Sequence, residues 1–195
     1  MKLIDNINNT LGNEIEENLN SKSRLKIAAS YFSIYAFAAL KKELEKIEEL
    51  QFIFTSPTFV ADNVTDKLKK EKREFVIPQQ DRESSLYGTE FEIHLRNKLS
   101  QKAIAKECAD WIRRKAKFKS NNSNAPMQEF INIQKPEHSL TYMPIQGFTP
   151  MGLGFEKGNA ISNIVNCFDE TATVQTYIQL FNQIWNDASK VDDVT

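Results

Sequence analysis

Apolar positions in the first part of the chain change from a helical spacing to a strand-like one and back again. Leucine and isoleucine recur every four residues from Leu3 to Leu19, which is the spacing of one helix face. The predicted elements are a helix over residues 1–20 interrupted only at Gly12, a half-buried strand over 25–32, a second helix over 37–47 and an apolar strand over 50–55. This helix, strand, helix, strand order predicts the beginning of an α/β domain.

The second part of the chain predicts two amphipathic helices with three short strands between them. Ile104, Cys108 and Trp111 fall on one face of a helix over 100–114. The remaining predicted elements are strands over 116–119, 128–134 and 139–143, a loop over 120–126, a closing helix with an apolar face from Val174 to Trp185, and a polar end from Asp192 to Thr195 without structure of its own. Residues 62–83 are polar and predict a solvated helix face.

Length and composition favour one domain. A chain of 195 residues with 41% apolar content can bury a sizeable core. We therefore expect a single α/β domain over residues 1–195, with a mixed central β-sheet flanked by helices. The net charge of −1 argues against a general polyanion binder.

The charge is unevenly distributed along the sequence. Residues 94–119 hold nine basic residues against Glu107 and Asp110, a net of +7, so the rest of the chain carries −8. Trp111 and Phe118 are interleaved with these cations, which is typical of nucleic-acid contact, while a solvated helix face is the alternative. The candidate DNA-binding residues are Arg96, Lys98, Lys102, Lys106, Arg113, Arg114 and Lys117.

Other features exclude several classes of function. The two cysteines, Cys108 and Cys167, lack any metal-ligand spacing and predict a reduced, cytoplasmic protein without a bound metal. No apolar run approaches the roughly 18 residues that a membrane helix needs, so no membrane partner is expected. The sequence contains no phosphate-binding loop of the ATPase type, and the glycines of residues 152–158 do not match a dinucleotide loop. No cofactor is predicted.

Candidate chemistry centres on His138-Ser139-Leu140, followed by Gly147-Phe148-Thr149 and Gly152-Leu153. This order resembles the active-site segment of the phospholipase D superfamily, in which a strand carries His-x-Lys and a glycine-containing strand completes the site. The resemblance implies that the histidine attacks phosphorus while the lysine and an asparagine stabilise the developing charge. Leu140 stands at the lysine position and no aspartate lies four residues beyond it. His138 is therefore read as the degenerate motif position, His94 as structural, and no catalytic residue is predicted.

Longer stretches are similar to the N-terminal domain of bacterial superfamily II helicase-type proteins, including Swi/Snf-like ones. The similar segments are residues 25–32 with Phe37, residues 87–92, residues 101–113, and residues 185–187 with 193–195. The resemblance implies half of a phospholipase D fold and an ATP-dependent helicase core downstream. The basic residues between 96 and 117 predict DNA as a weak, phosphate-mediated partner. A single motif copy implies a homodimer paired through residues 147–158. Two alternatives stay open, namely an active phosphodiesterase or nuclease with a rearranged site around His138 and a pure protein interaction module.

Overall fold

The computed structural model describes residues 1–56, 98–123, 125–157 and 163–194, without the side chains of residues 98–102. The strands are β1 (Lys2–Ile4), β2 (Arg24–Ala29), β3 (Glu49–Phe54), β4 (Ala116–Asn121), β5 (Phe130–Gln134), β6 (Leu140–Met143), β7 (Val165–Phe168) and β8 (Val191–Asp193), and the helices are α1 (Leu11–Asn18), α2 (Ile34–Ala39), α3 (Lys41–Leu44), α4 (Lys98–Lys115) and α5 (Thr171–Trp185). The predicted segment 62–83 and His94 lie outside the described residues.

All eight strands join one mixed sheet in the order β1-β7-β6-β5-β2-β3-β4-β8. Strands β2, β3 and β4 are parallel, whereas β5, β6, β7, β1 and β8 join by antiparallel pairing. Helices cover both faces of the sheet, because residues from α1 to α4 belong to one apolar cluster and α5 contributes to a second. The predicted fold class, a mixed central sheet flanked by helices, is confirmed.

The larger core lies between the sheet and α1 to α4. Trp111 of α4 is fully buried, contacts the Phe37 ring at a centroid distance of 5.1 Å, and donates from Nε1 to the carbonyl of Leu44 at 3.0 Å. Cys108, on the same face of α4, is buried as well. The predicted apolar face of this helix is therefore confirmed, and its opposite face is left to solvent.

The second face of the sheet is partly polar beneath α5. Lys26 of β2 is only 8% exposed, donates to Gln51 Oε1 of β3, and lies 5.0 Å from the ring centroid of Phe181. Burial lowers the pKa of Lys26. On the neighbouring strands, Thr141 Oγ1 donates to Asn132 Oδ1 at 2.6 Å, and both residues are fully buried. Helix α5 thus covers a sheet face that carries an ammonium and an amide.

The predicted helix over residues 1–20 is wrong in its first half, where the chain forms β1 and a turn. Asp5 Oδ1 accepts hydrogen bonds from the backbone amides of Ile7 at 2.9 Å, Asn8 at 2.9 Å and Asn9 at 3.1 Å. Because a short acidic side chain holds these amides, they are not available to a helix ladder. Helix α1 begins only after Thr10, whose hydroxyl caps it.

The C-terminal prediction is also wrong, since residues 191–193 form β8 rather than an unstructured end. Val191 is 3% exposed and pairs with Asn121, and Asp193 pairs with Lys119. The predicted helix over 37–47 is divided into α2 and α3 at Leu40. The predicted strands over 25–32, 50–55, 116–119, 128–134 and 139–143 correspond to β2 through β6, and the closing helix corresponds to α5.

Candidate functional site

The position of the missing lysine lies inside the apolar core. Leu140 is the first residue of β6, is 5% exposed, and pairs with Ile133 of β5. His138 precedes the strand by two residues and is exposed. The structure therefore puts an apolar side chain, packed against other apolar side chains, where the resemblance would require an ammonium facing a phosphate.

The glycine-containing part of the motif lies at the other end of β6. Phe148 forms a bridge with Phe32, donates its amide to the Tyr31 carbonyl at 2.8 Å, and accepts from the Ser33 amide at 2.9 Å. Strand β6 lies between this segment and His138. Its four residues, at about 3.3 Å per residue, span about 13 Å. The two halves of the motif are not brought together around one reacting atom.

Two glycines of the motif have structural roles in this loop. Gly147 has φ of +70°, a conformation that side chains with a Cβ rarely adopt. A Cβ on Gly152 would lie 2.4 Å from the carbonyl oxygen of Gln146, so the backbone approaches there too closely for any other residue. Their presence follows from backbone geometry and requires no bound phosphate.

Glu129 connects this loop to the sheet, and the sequence did not identify it. Its Oε1 accepts from the Ser30 amide at 3.0 Å, from the Ser30 hydroxyl, and from Thr55 Oγ1 at 3.4 Å. Its Oε2 accepts from the Gly147 amide at 2.8 Å. One carboxylate therefore joins the ends of β2 and β3 to the motif loop. The only sequence signal was a single acidic residue directly before the apolar run of β5.

A cleft of about 270 Å³ opens beside His138, between the β5–β6 loop and the beginning of α5. Lys135 and Asp169 line it together with the imidazole. The Lys135 ammonium donates to Asn18 Oδ1 at 3.2 Å, while the Asn18 amide donates to the Glu14 carbonyl at 2.9 Å. A hydrogen bond from the Met1 ammonium, at 3.1 Å, lowers the pKa of Asp169. Lys135, Asn18 and Asp169 are thus already engaged with protein groups.

Acidic side chains pair several cations on and around α4. Arg113 lies 2.8 Å from Asp110, and Arg114 lies 3.1 Å from Glu45. Both arginines are exposed, so each pair contributes little to stability. The pairs nevertheless reduce the positive field of the predicted DNA-binding stripe, because each arginine is matched by a carboxylate.

The other stripe residues have varied positions. Lys106 and Lys117 are exposed, and neither forms an ion pair with any described residue. Lys98 is the first residue of α4 and Lys102 lies one turn further, while Arg96 lies outside the described residues. Among the candidates whose side chains are described, Lys106 and Lys117 are therefore the two that no described carboxylate pairs, and they remain candidate contacts for phosphate.

The segment predicted to form a dimer interface is largely packed within its own chain. Gly152 and Leu153 are buried, and the Leu153 carbonyl accepts from the Gly12 amide at 2.8 Å. A Cβ on Gly12 would lie 2.2 Å from the Phe155 ring, so this segment fits closely against α1. Lys157 is exposed, and Gly158 lies outside the described residues.

No protein-family model matches this sequence, and no curated protein shows significant similarity to it. Within the described part of the chain, no group of three or more histidine, cysteine, aspartate or glutamate side chains is arranged to hold a metal ion. None of the helices there is both long and apolar enough to cross a bilayer.

Proposed function

We propose that this domain is a non-catalytic phospholipase D-like module of a DNA helicase-like protein, and that it positions the larger protein through protein contacts, including pairing with a second copy. The helicase context comes from the sequence resemblance. The absence of catalysis is the inference that the structure supports best.

The supporting observation is the burial of Leu140. A phosphodiesterase of this type needs a cation and a histidine beside the same phosphoryl group. Leu140 is part of the main apolar cluster, and the glycine loop lies across β6 from His138. A change of one side chain would therefore not rebuild a phosphate site, because the position belongs to the core of the fold.

Protein contact is favoured over DNA contact because of the ion pairs around α4. If Lys106 and Lys117 are the phosphate contacts, neutralising two phosphates gives a slope of log K against log salt of about −2. The affinity then falls by roughly tenfold between 50 and 200 mM salt. A slope near −6 would require a continuous basic surface and would make DNA contact the primary role.

The experiment is fluorescence anisotropy with a labelled duplex at both salt concentrations. A Lys106→Glu, Lys117→Glu double variant should lose the weak binding that remains. The double variant Arg113→Glu, Arg114→Glu is the matched control, since it changes the net charge by the same amount at two positions already paired with Asp110 and Glu45. Light scattering on the parent chain tests the predicted homodimer.

A phosphodiesterase with a rearranged site is the second candidate, and the cleft beside His138 is the observation in its favour. Lys135 would be the replacement for the missing lysine there. Hydrolysis of bis(p-nitrophenyl) phosphate separates the two candidates. We expect no turnover above the buffer rate, whereas turnover that is lost in both His138→Ala and Lys135→Ala would establish the enzyme.

A further inference from the structure

The Glu129 carboxylate is surrounded by donors from three separate segments. Ser30 provides an amide and a hydroxyl, Thr55 provides a hydroxyl, and Gly147 provides an amide. Hydrogen bonds to an ionised acceptor are about twice as strong as those between neutral groups. We call this set of converging donors the edge nest; within the described part of the chain, it holds one carboxylate.

The two backbone amides of the edge nest are also held by contacts that do not involve Glu129. The Gly147 amide belongs to a loop that is fixed by the hydrogen bonds of Phe148 to Tyr31 and Ser33. The Ser30 amide directly follows β2, which pairs with strands on both sides. Because these anchors come from the backbone, we expect both amides to keep their direction when the side chain at position 129 is removed.

An empty edge nest would be unfavourable. Thr55 and Gly147 are buried and Ser30 is half-buried. A buried donor without an acceptor costs about 1 to 3 kcal/mol. Among the described residues, no basic side chain forms an ion pair with Glu129, so hydrogen bonds rather than an opposite charge hold the carboxylate.

We propose that the edge nest is a carboxylate-binding site that the chain fills with its own side chain, Glu129. The site lies at the C-terminal ends of the parallel strands β2 and β3, the edge at which open α/β sheets bind ligands. In this chain the internal carboxylate blocks that edge. An external carboxylate, from a small molecule or from an acidic side chain of a partner, binds there only when Glu129 leaves. The inference does not depend on the proposed function.

The test is rescue of Glu129→Ala by acetate. The variant removes the internal carboxylate and leaves the donors in place. If acetate binds folded Glu129→Ala with a dissociation constant of about 10 mM, 100 mM acetate raises the ratio of folded to unfolded variant by roughly 11-fold. In a chain of this size, that change raises the Tm of the variant by about 3 to 6 °C. The rise is measured against sodium chloride at equal ionic strength. Acetate should not raise the Tm of the parent chain.

Two further variants make the result specific. Glu137→Ala removes an exposed glutamate from the β5–β6 loop and should show no acetate effect. Glu129→Gln loses the charge but still fills the space, so it should be less stable than the parent and should not respond to acetate. Equal effects of acetate and chloride on Glu129→Ala, or rescue by phosphate but not by acetate, would overturn the proposal.

If Glu129→Ala does not fold in chloride, the refolding yield replaces Tm as the readout. Recovery in acetate but not in chloride supports the edge nest as a carboxylate site. Equal failure in both salts contradicts it, because an intact set of donors should accept the added carboxylate.

Discussion

Restoring the lysine of the motif, by Leu140→Lys, should destabilise the domain without creating an enzyme. Burying a leucine contributes about 1.5 to 3 kcal/mol, and that contribution is lost when the side chain is replaced. An unpaired ammonium in the core adds several kcal/mol of desolvation cost. Leu140 is 5% exposed and is the first residue of β6. The introduced lysine can therefore extend its ammonium toward the end of the strand, which reduces the desolvation cost. We expect a net loss of about 2 to 4 kcal/mol.

Urea unfolding followed by circular dichroism measures the loss. With an m-value of about 1 to 3 kcal/mol per M, the midpoint should fall by about 0.7 to 4 M. Ser139→Lys is the control, since Ser139 is half-buried and lines the open cleft, and its midpoint should change little. A Leu140→Lys variant as stable as its parent, with phosphodiesterase activity that requires His138, would refute the view that position 140 belongs to the core.

Three further predictions follow from individual contacts. Burial lowers the pKa of Lys26 in the folded state, so unfolding takes up protons at pH values between the lowered pKa and 10.5. The free energy of unfolding should therefore increase as the pH rises through this range. In thermal unfolding at several pH values, Lys26→Met should abolish the increase. Gly12→Ala should lower the free energy of unfolding by about 1 to 3 kcal/mol, because the added Cβ overlaps the Phe155 ring, although alanine has the better helix propensity. In urea unfolding, a second change, Phe155→Leu, should recover part of this loss. His138→Ala should leave the unfolding midpoint unchanged because the imidazole is exposed, and bis(p-nitrophenyl) phosphate turnover should stay at the buffer rate, as expected for the parent chain.

The fold class was predictable because apolar spacing reports burial directly. The run from Leu25 to Phe32 and the one-sided pattern around Trp111 gave β2 and α4. The errors arose where backbone hydrogen bonds, one set local and one between distant segments, decided the structure. Asp5 holds three amides that a helix would need, and β8 exists because its backbone pairs with β4. Neither interaction changes the hydrophobic pattern, so the sequence gives little sign of either.

The candidate site was less predictable because a motif residue can be present for more than one reason. Gly147 is needed for its positive φ, and Gly152 for its contact with the Gln146 carbonyl. Both would occupy these positions with or without a phosphate, so their match to the motif supports the shape of the loop and not its chemistry. Glu129 is the converse case, since it accepts hydrogen bonds from Ser30, Thr55 and Gly147 and belongs to no recognised motif. Only the positions of the donors around it show that Ser30, Thr55 and Gly147 already bind a carboxylate of the chain itself, and no spacing of residues in the sequence reports that contact.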